Sequence, residues 1–255
     1  MIHPTAIVHP KAELDSDVEI GPYAVIGERV RIARGCRIHA HVEIEGLTEI
    51  GEGCTFFSFS SIGTPPQDLK FKGEETRLII GRRNTFREFI TLNRGTQNGL
   101  GQTVIGDDNF LMAYVHVAHD CTVGNHVVLA NAATLAGHIS IGDHAIVGGL
   151  SGIHQFVRIG AYAMIGGCSA VAQDVPPFVS VAGNRARLHG LNVIGLKRHG
   201  FSTERLAALK EAYRLLFRAR MTQKEAIGKI RSTQAGSDVE ALVKFVESSK
   251  RGVCR

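Results

Sequence analysis

Starting at Ile2, an apolar residue recurs at every sixth position through Ile20, Ile38, Phe56 and Ile62. The same phase returns at Ile80, Phe86 and Leu92, then shifts by one residue and runs from Ile105 to Val171. All 26 positions on these runs are apolar, and only Phe56 and Phe86 are not aliphatic. Glycine follows the apolar residue in many hexads, as in Ile20-Gly21, Ile50-Gly51, Ile105-Gly106 and Ile141-Gly142. A period of six matches neither a helix, with about 3.6 residues per turn, nor a plain strand, which alternates about every 2. It matches a coil of short strands and turns in which one residue per hexad points inward. Glycine then sits where a turn needs positive φ or where backbones approach closely. Stacking such coils buries an aliphatic column and pairs each strand with those above and below. The pattern predicts a mainly β chain, with a parallel β-helix over residues 1–190.

Two stretches break the repeat, residues 65–77 (PPQDLKFKGEETR) and 96–103 (TQNGLGQT). Both are polar and carry Gly or Pro, so they predict loops projecting from a rigid scaffold, where binding groups are commonly carried. Asp174-Val175-Pro176-Pro177 predicts the close of the last coil, because two prolines remove strand donors. Further on the text turns helical. Leu206, Leu209, Tyr213, Leu216 and Phe217 form an apolar stripe. Thr222 with Glu225, and Ser237 with Glu240, read as capping boxes, and Gly252 reads as a helix stop. Residues 191–255 are expected to form a small helical domain.

Composition narrows the class. Of 255 residues, 44% are hydrophobic and 21% charged, so the chain can bury a core and is not compositionally disordered. No apolar run approaches the roughly 18 residues of a membrane-spanning helix, and Met1-Ile2-His3-Pro4 does not read as a secretory signal. Five cysteines, odd in number and without a CxxC pair, point to reduced thiols in a cytoplasm and away from a disulfide frame or zinc knuckle. The net charge of +5 is unevenly divided. Residues 197–255 hold 14 Lys+Arg and 6 Asp+Glu, leaving 15 and 18 for residues 1–196. A basic helical appendage favours an acidic partner. Nucleic acid is not expected, since stacking platforms and recognised motifs are lacking.

Six of the twelve histidines fall between residues 116 and 154, and four of them, His116, His119, His138 and His154, are candidates for chemistry. Imidazole is the side chain whose pKa best suits general base work near neutral pH.

The aliphatic-Gly hexads resemble the hexapeptide-repeat acyltransferases. That resemblance implies a left-handed, three-sided β-helix, three hexads per coil, and a homotrimer. With residues 18 apart stacked, Asp120 lies below His138, so His119 and His138 are neighbours in adjacent coils. His154 stacks above Ala136, close to the same edge. His126 and His144, one hexad on, stack on a different face with Tyr162 and read as structural.

Segments HVAHDCTVGN (116–125), LAGH (135–138), HQF (154–156), GGCSAVAQDVPP (166–177) and GLNVIGLKRHGFS (190–202), with PQDLK in the first loop and TLNRGT at 91–96, are similar to the acyl-ACP–UDP-N-acetylglucosamine O-acyltransferases, which begin lipid A biosynthesis. The likeness covers essentially the whole chain. It implies transfer of a 3-hydroxyacyl chain from acyl carrier protein to the sugar 3-hydroxyl, with no cofactor and no metal. His119 matches the general base and Asp120 the acid that orients it, although neighbours on a strand point apart. The Gly137 N–H matches the oxyanion donor. His138 and Gln155 match sugar contacts, Asp68 and Lys70 contacts from the first loop, and His116 and His154 accessory histidines of the cleft. Asn192 and Arg198 match the nucleotide end, where an Arg suits a diphosphate. Gly167 matches the position that limits acyl-chain length. The acidic carrier protein is expected on the basic C-terminal region.

The chain departs from the family at Asn93, where His is frequent, and at Ile194, where some members are acidic. Either could shift selectivity towards a 3-amino sugar nucleotide. The N-acyltransferases of the same pathway carry an extra N-terminal domain before the repeats, whereas the hexads here start at residue 2. Coenzyme A acetyltransferases usually have fewer coils and no such basic tail. A metal site on His119 and His138, as in the hexapeptide-repeat carbonic anhydrases, would require three histidines shared between subunits. Nothing in the sequence marks Cys121 as an activated nucleophile. A non-catalytic β-helix scaffold would have no need of His119, Asp120 and His138 together on one edge.

Overall fold

In a computed structural model, which describes residues 1–233 and 236–255, strands of two to five residues stack into three sheets of nine, eight and ten members. The sheets are the sides of a left-handed parallel β-helix. Its register is the hexad register: Val117, Leu135, Ile153 and Val171 pair in succession. The breaks do not disturb it. Ile50 pairs with Ile80, and Ile80 with Ile105, so both polar stretches, which lie between the strands Ser61–Thr64 and Arg77–Ile80 and between Thr91–Asn93 and Gln102–Ile105, leave and rejoin a continuous ladder.

Two residues per hexad, not one, are turned inward. Val18, Ala24, Val30, Cys36 and Val42, each two residues before a hexad position, are as buried as Ile20, Ile26, Ile32, Ile38 and Ile44. The second column is built of smaller residues because it fills the corners of the triangle, where walls converge. A fully buried Ile or Val contributes about 1.5–3 kcal/mol. Polar residues enter this column only where backbone partners are ready. Asn84 Oδ1 accepts from Asn109 N–H (2.9 Å) and Asn109 Oδ1 from Val127 N–H (2.7 Å), one coil apart each time.

Most glycines following the apolar positions answer to only one of the two reasons expected; Gly63, after Ile62, is the exception with φ of 76°. Positive φ at the corners is carried mostly by non-glycine residues, seventeen among the described residues, including Tyr23, His41, Phe59, Phe89 and Tyr114, with Gly35 and Gly53 in one column. Left-handed backbone costs such residues about 1–2 kcal/mol, and their rings offset it by stacking on the next coil at 4.9–5.2 Å. Gly51 is glycine because of close approach: a Cβ there would lie 2.7 Å from the Gly81 carbonyl oxygen.

The prolines do not end the coil. Val175 bridges to Ile159, the prolines occupy the corner, where no ladder N–H is required, and Val179–Ala182 still pairs in parallel with Met164–Ile165. The hairpin partner Arg187–Leu191 then runs antiparallel and closes the stack.

Four helices follow: α1 (Val193–Arg198), α2 (Thr203–Phe217), α3 (Gln223–Ser232) and α4 (Gly236–Ser248). Leu206, Leu209 and Leu216 of the stripe are buried, while Tyr213 and Phe217 sit at its margin. Thr222 and Glu225 form the capping box. Ser237 does not cap, because it lies inside α4, and Glu240 pairs instead with Arg231 at 3.2 Å. Nor is Gly252 the stop. Helix α4 ends at Ser248, and the segment beyond returns to the β-helix, with Asp174 N–H on the Gly252 carbonyl (3.1 Å) and Cys254 N–H on that of Asp174 (2.9 Å). The column His126, His144, Tyr162 stacks at 4.7 Å and receives His199 and Phe201 from the helical part, a docking role. No helix among the described residues is long and apolar enough to cross a membrane.

Candidate active site

One corner of the β-helix differs from the others. At Asp120, His138 and Phe156, stacked 18 residues apart with φ of 58°, 62° and 66°, the side chains face a cleft of about 610 Å³ walled by Asp68 and Lys70 from the first inserted loop and Thr96, Asn98, Gly99 and Leu100 from the second. Both loops are tied down. Asn93, buried in its strand, donates through Nδ2 to Thr64 Oγ1 and the Pro65 carbonyl (3.0 Å each), and the Arg94 guanidinium lies over the Phe71 ring.

His119 and Asp120 are consecutive, yet Nδ1 of the one is 2.7 Å from Oδ2 of the other. The expected divergence applies to an extended strand. Here the strand has ended at Val117, and the left-handed turn at Asp120 folds its carboxylate back towards the ring. Asp120 is fully buried. Burial acts to raise its pKa, but hydrogen bonds from Thr96, His119 and Leu100 outweigh burial and hold the carboxyl below its usual range. With that carboxylate ionised, Nδ1 carries the proton and the Nε2 lone pair is free to accept one.

His138 meets His119 edge to face, ring centroids 5.0 Å apart, and stacks on Phe156 at 4.4 Å. Burial pushes its pKa down, so it is held neutral. Gly137 packs against the His119 ring: a Cβ there would lie 2.6 Å from Cε1 and 2.8 Å from Nε2. His116 stands on the outer face of the adjoining strand with Nδ1 2.6 Å from Thr91 Oγ1, and burial lowers its pKa too. Cys121 points into the core, and burial pushes its thiol up to about 12.

Other residues singled out in the sequence lie elsewhere. His154 is exposed and turns to the C-terminal segment, its Nδ1 3.4 Å from the Arg251 guanidinium, which also donates to the Gln155 carbonyl. Asn192 caps α1, accepting from Gly195 N–H and donating to the Tyr162 carbonyl. Arg198 ends α1 and Ile194 is exposed on it. Gly167 lies at the opposite corner of the nine-stranded sheet, where a Cβ would meet only Gly149 backbone, its oxygen at 3.3 Å. Thr96, Leu100 and Phe156 were not singled out as site residues. The 18-residue spacing of Phe156 from His138 was a legible signal, whereas Thr96 was visible only as the end of TLNRGT.

Donor atoms of His119, Asp120 and His138 all lie within 4.8 Å of one another, a spacing that could hold a metal ion. The donor set fits poorly, since both carboxylate oxygens already accept hydrogen bonds, Oδ1 from Thr96 and Leu100 N–H, Oδ2 from the Thr96 hydroxyl and His119.

Comparison with known proteins gives one consistent likeness. A family model described as UDP N-acetylglucosamine O-acyltransferase, domain 2, matches residues 174–254, and a bacterial transferase hexapeptide model matches 11–46 and 102–137. An acyl-[acyl-carrier-protein]–UDP-N-acetylglucosamine O-acyltransferase of Thermodesulfovibrio yellowstonii is 57% identical over all of this chain and 99% of its own length; one of Syntrophobacter fumaroxidans is 51% identical with the same coverage. Among solved structures, LpxA from Acinetobacter baumannii superposes with a TM-score of 0.97 at 46% identity, over 100% of this chain and 99% of that one. The UDP-N-acetylglucosamine acyltransferase of Arabidopsis gives 0.88 at 35% identity, over 100% of both.

Proposed function

Since the chain belongs to the acyl-[acyl-carrier-protein]–UDP-N-acetylglucosamine O-acyltransferase family, we propose that His119 is the general base of that transfer. The protein is an acyltransferase that moves an acyl chain from acyl carrier protein to UDP-N-acetylglucosamine, the first step of lipid A biosynthesis. The observation that carries the residue assignment is the His119–Asp120 pair beside the cleft, in which a buried carboxylate lies 2.7 Å from Nδ1 and leaves Nε2 to accept a proton.

His119 Nε2 takes the proton of the sugar 3-hydroxyl as that oxygen attacks the thioester carbonyl of a 3-hydroxyacyl chain. Asp120 steadies the imidazolium. The negative charge on the carbonyl oxygen is met by the Gly137 N–H, which makes no hydrogen bond to another described residue. Collapse breaks the C–S bond, and the departing thiolate takes the proton back from His119. Every group this sequence needs is a side chain or backbone amide, so no cofactor enters. His138, Gln155, Asp68 and Lys70 contact the sugar, with His116 and His154 accessory. Asn192 and Arg198 take the nucleotide end. The acyl chain runs towards Gly167, across outward positions Thr134, Gly152 and Ala170, all small, of the sheet that joins the two corners.

The working assembly is a homotrimer in the cytoplasm, with the acidic carrier protein on the basic C-terminal region. The exposed ladder Tyr23, Phe59, Phe89, Tyr114 and the free thiols support this setting. The test is transfer from 3-hydroxymyristoyl carrier protein to UDP-N-acetylglucosamine, beside its 3-amino analogue and a 3-hydroxydecanoyl donor. Ester formation supports the reading, reaction with the amino sugar alone moves attention to Asn93 and Ile194, and no transfer at all would reject it.

A further inference from the structure

We propose that Thr96, with the Gly99–Leu100 peptide, is a positioning device that commits the Asp120 carboxylate to His119 and withholds it from His138; this rests on the reading of His119 as the base. Asp120 Oδ2 lies 2.7 Å from His119 Nδ1 and 3.9 Å from His138 Nδ1. The two imidazoles therefore compete for one oxygen, and a small rotation of the carboxylate about its Cβ–Cγ bond would exchange them. Rotation is blocked by the second inserted loop. The Thr96 hydroxyl, which can only donate to an ionised carboxylate, occupies one lone pair of Oδ2 at 2.6 Å, leaving the other aimed at His119. Leu100 N–H holds Oδ1 at 2.8 Å, and Thr96 N–H spans both oxygens at 3.1 and 3.2 Å. From the opposite side Thr103 Oγ1 accepts the Asp120 N–H at 2.9 Å, so one insertion grips the residue at both of its ends. Gly99 has no side chain because a Cβ there would fall on the carboxylate.

The titratable groups facing Asp120 are His119 and His138 on the cleft side, Cys121 beside it in the chain, and Asp68 and Lys70 across the cleft. The Thr96 hydroxyl is a side-chain donor to the carboxylate that touches no substrate in the proposed reaction. It is therefore the handle for testing orientation separately from chemistry.

Thr96→Val removes the hydroxyl and keeps the shape. The expected result is a kcat lower by about tenfold, the scale of losing one well-placed hydrogen bond to a charged group, with KM for both substrates nearly unchanged. The acid limb of the pH profile should move to higher pH, because the carboxylate loses a donor that favours its charged form. Thr96→Ser should restore both. Gly99→Ala should lower kcat as well, by forcing the carboxylate aside. His119→Ala, measured alongside, separates the two readings. If it is almost inactive while Thr96→Val has the parent's kcat and pH profile, the positioning role is overturned and the base stands. A Thr96→Val loss that follows thermal stability, leaves the acid limb in place and is not rescued by Ser also overturns it. If His119→Ala keeps the parent's turnover, base and positioning role fall together.

Discussion

His119 and His138 stand 19 residues apart in sequence with ring centroids 5.0 Å apart and planes at 88°. Edge-to-face contact lets a neutral His138 support the His119 ring without sharing its proton. Only His119 has its Nδ1 within hydrogen-bond distance of the buried carboxylate, and so only it is equipped to become a stabilised imidazolium.

Replacing His119 by Ala should lower kcat by about 10²–10⁴-fold, the scale of a lost general base. The far-ultraviolet circular dichroism spectrum and melting temperature should hardly change, because the ring lies outside the aliphatic column. Steady-state kinetics and a thermal melt on one preparation check both halves.

Gly137→Ala tests the ring's seat. Its Cβ would lie 2.6 Å from His119 Cε1, so the imidazole must shift. A displacement approaching 1 Å is worth about 10²-fold in rate. Kinetics with the usual donor should show this fall in kcat, and a crystal structure of the variant should show the ring moved.

Stability should fall in two steps on acidification. His116 and His138 have pKa values lowered by burial, so their contribution is complete above the unfolded value of about 6.5 and is lost as pH falls towards the folded values. Asp120, also lowered in the folded state, contributes fully above about pH 4 and loses that contribution below it. Melting temperatures across this range should show the upper step shrink in His116→Gln, while the lower step remains.

Arg220, between α2 and α3, and Lys224, in the first turn of α3, are both exposed and probe the carrier-protein surface. Reversing both to Glu should raise KM for acyl carrier protein several-fold at low salt and progressively less at high salt, as expected of screened charges. Turnover of a short acyl-phosphopantetheine donor should stay at the parent's value. An equal rise for both donors would count against docking there.

Much of this architecture could be read from the hexads because a β-helix makes distant contacts periodic: Val117, Leu135, Ile153 and Val171 share a column because the backbone climbs one coil every 18 residues. Within that arithmetic the juxtaposition of His119 and His138 was legible. The second inward column was not, because Ala, Cys, Ser and Asn at those positions carry little hydrophobic signal, although Ala24, Cys36 and Asn84 are fully buried. The ends of the helical part were misread at Ser237 and Gly252, since local capping signals say nothing of the tail's return to Asp174.

The sequence by itself therefore determined the repeat, the inserted loops, the basic tail and the residue types that could do acid–base chemistry. Only tertiary structure decided which of them work together. A left-handed turn at a corner brings His119 and Asp120 within 2.7 Å, and an insertion leaving the ladder at Thr91–Asn93 sets Thr96 on the same carboxylate. Neither follows from spacing. The direction of a side chain at a corner depends on the local φ, and the path of an insertion depends on what it packs against when it returns.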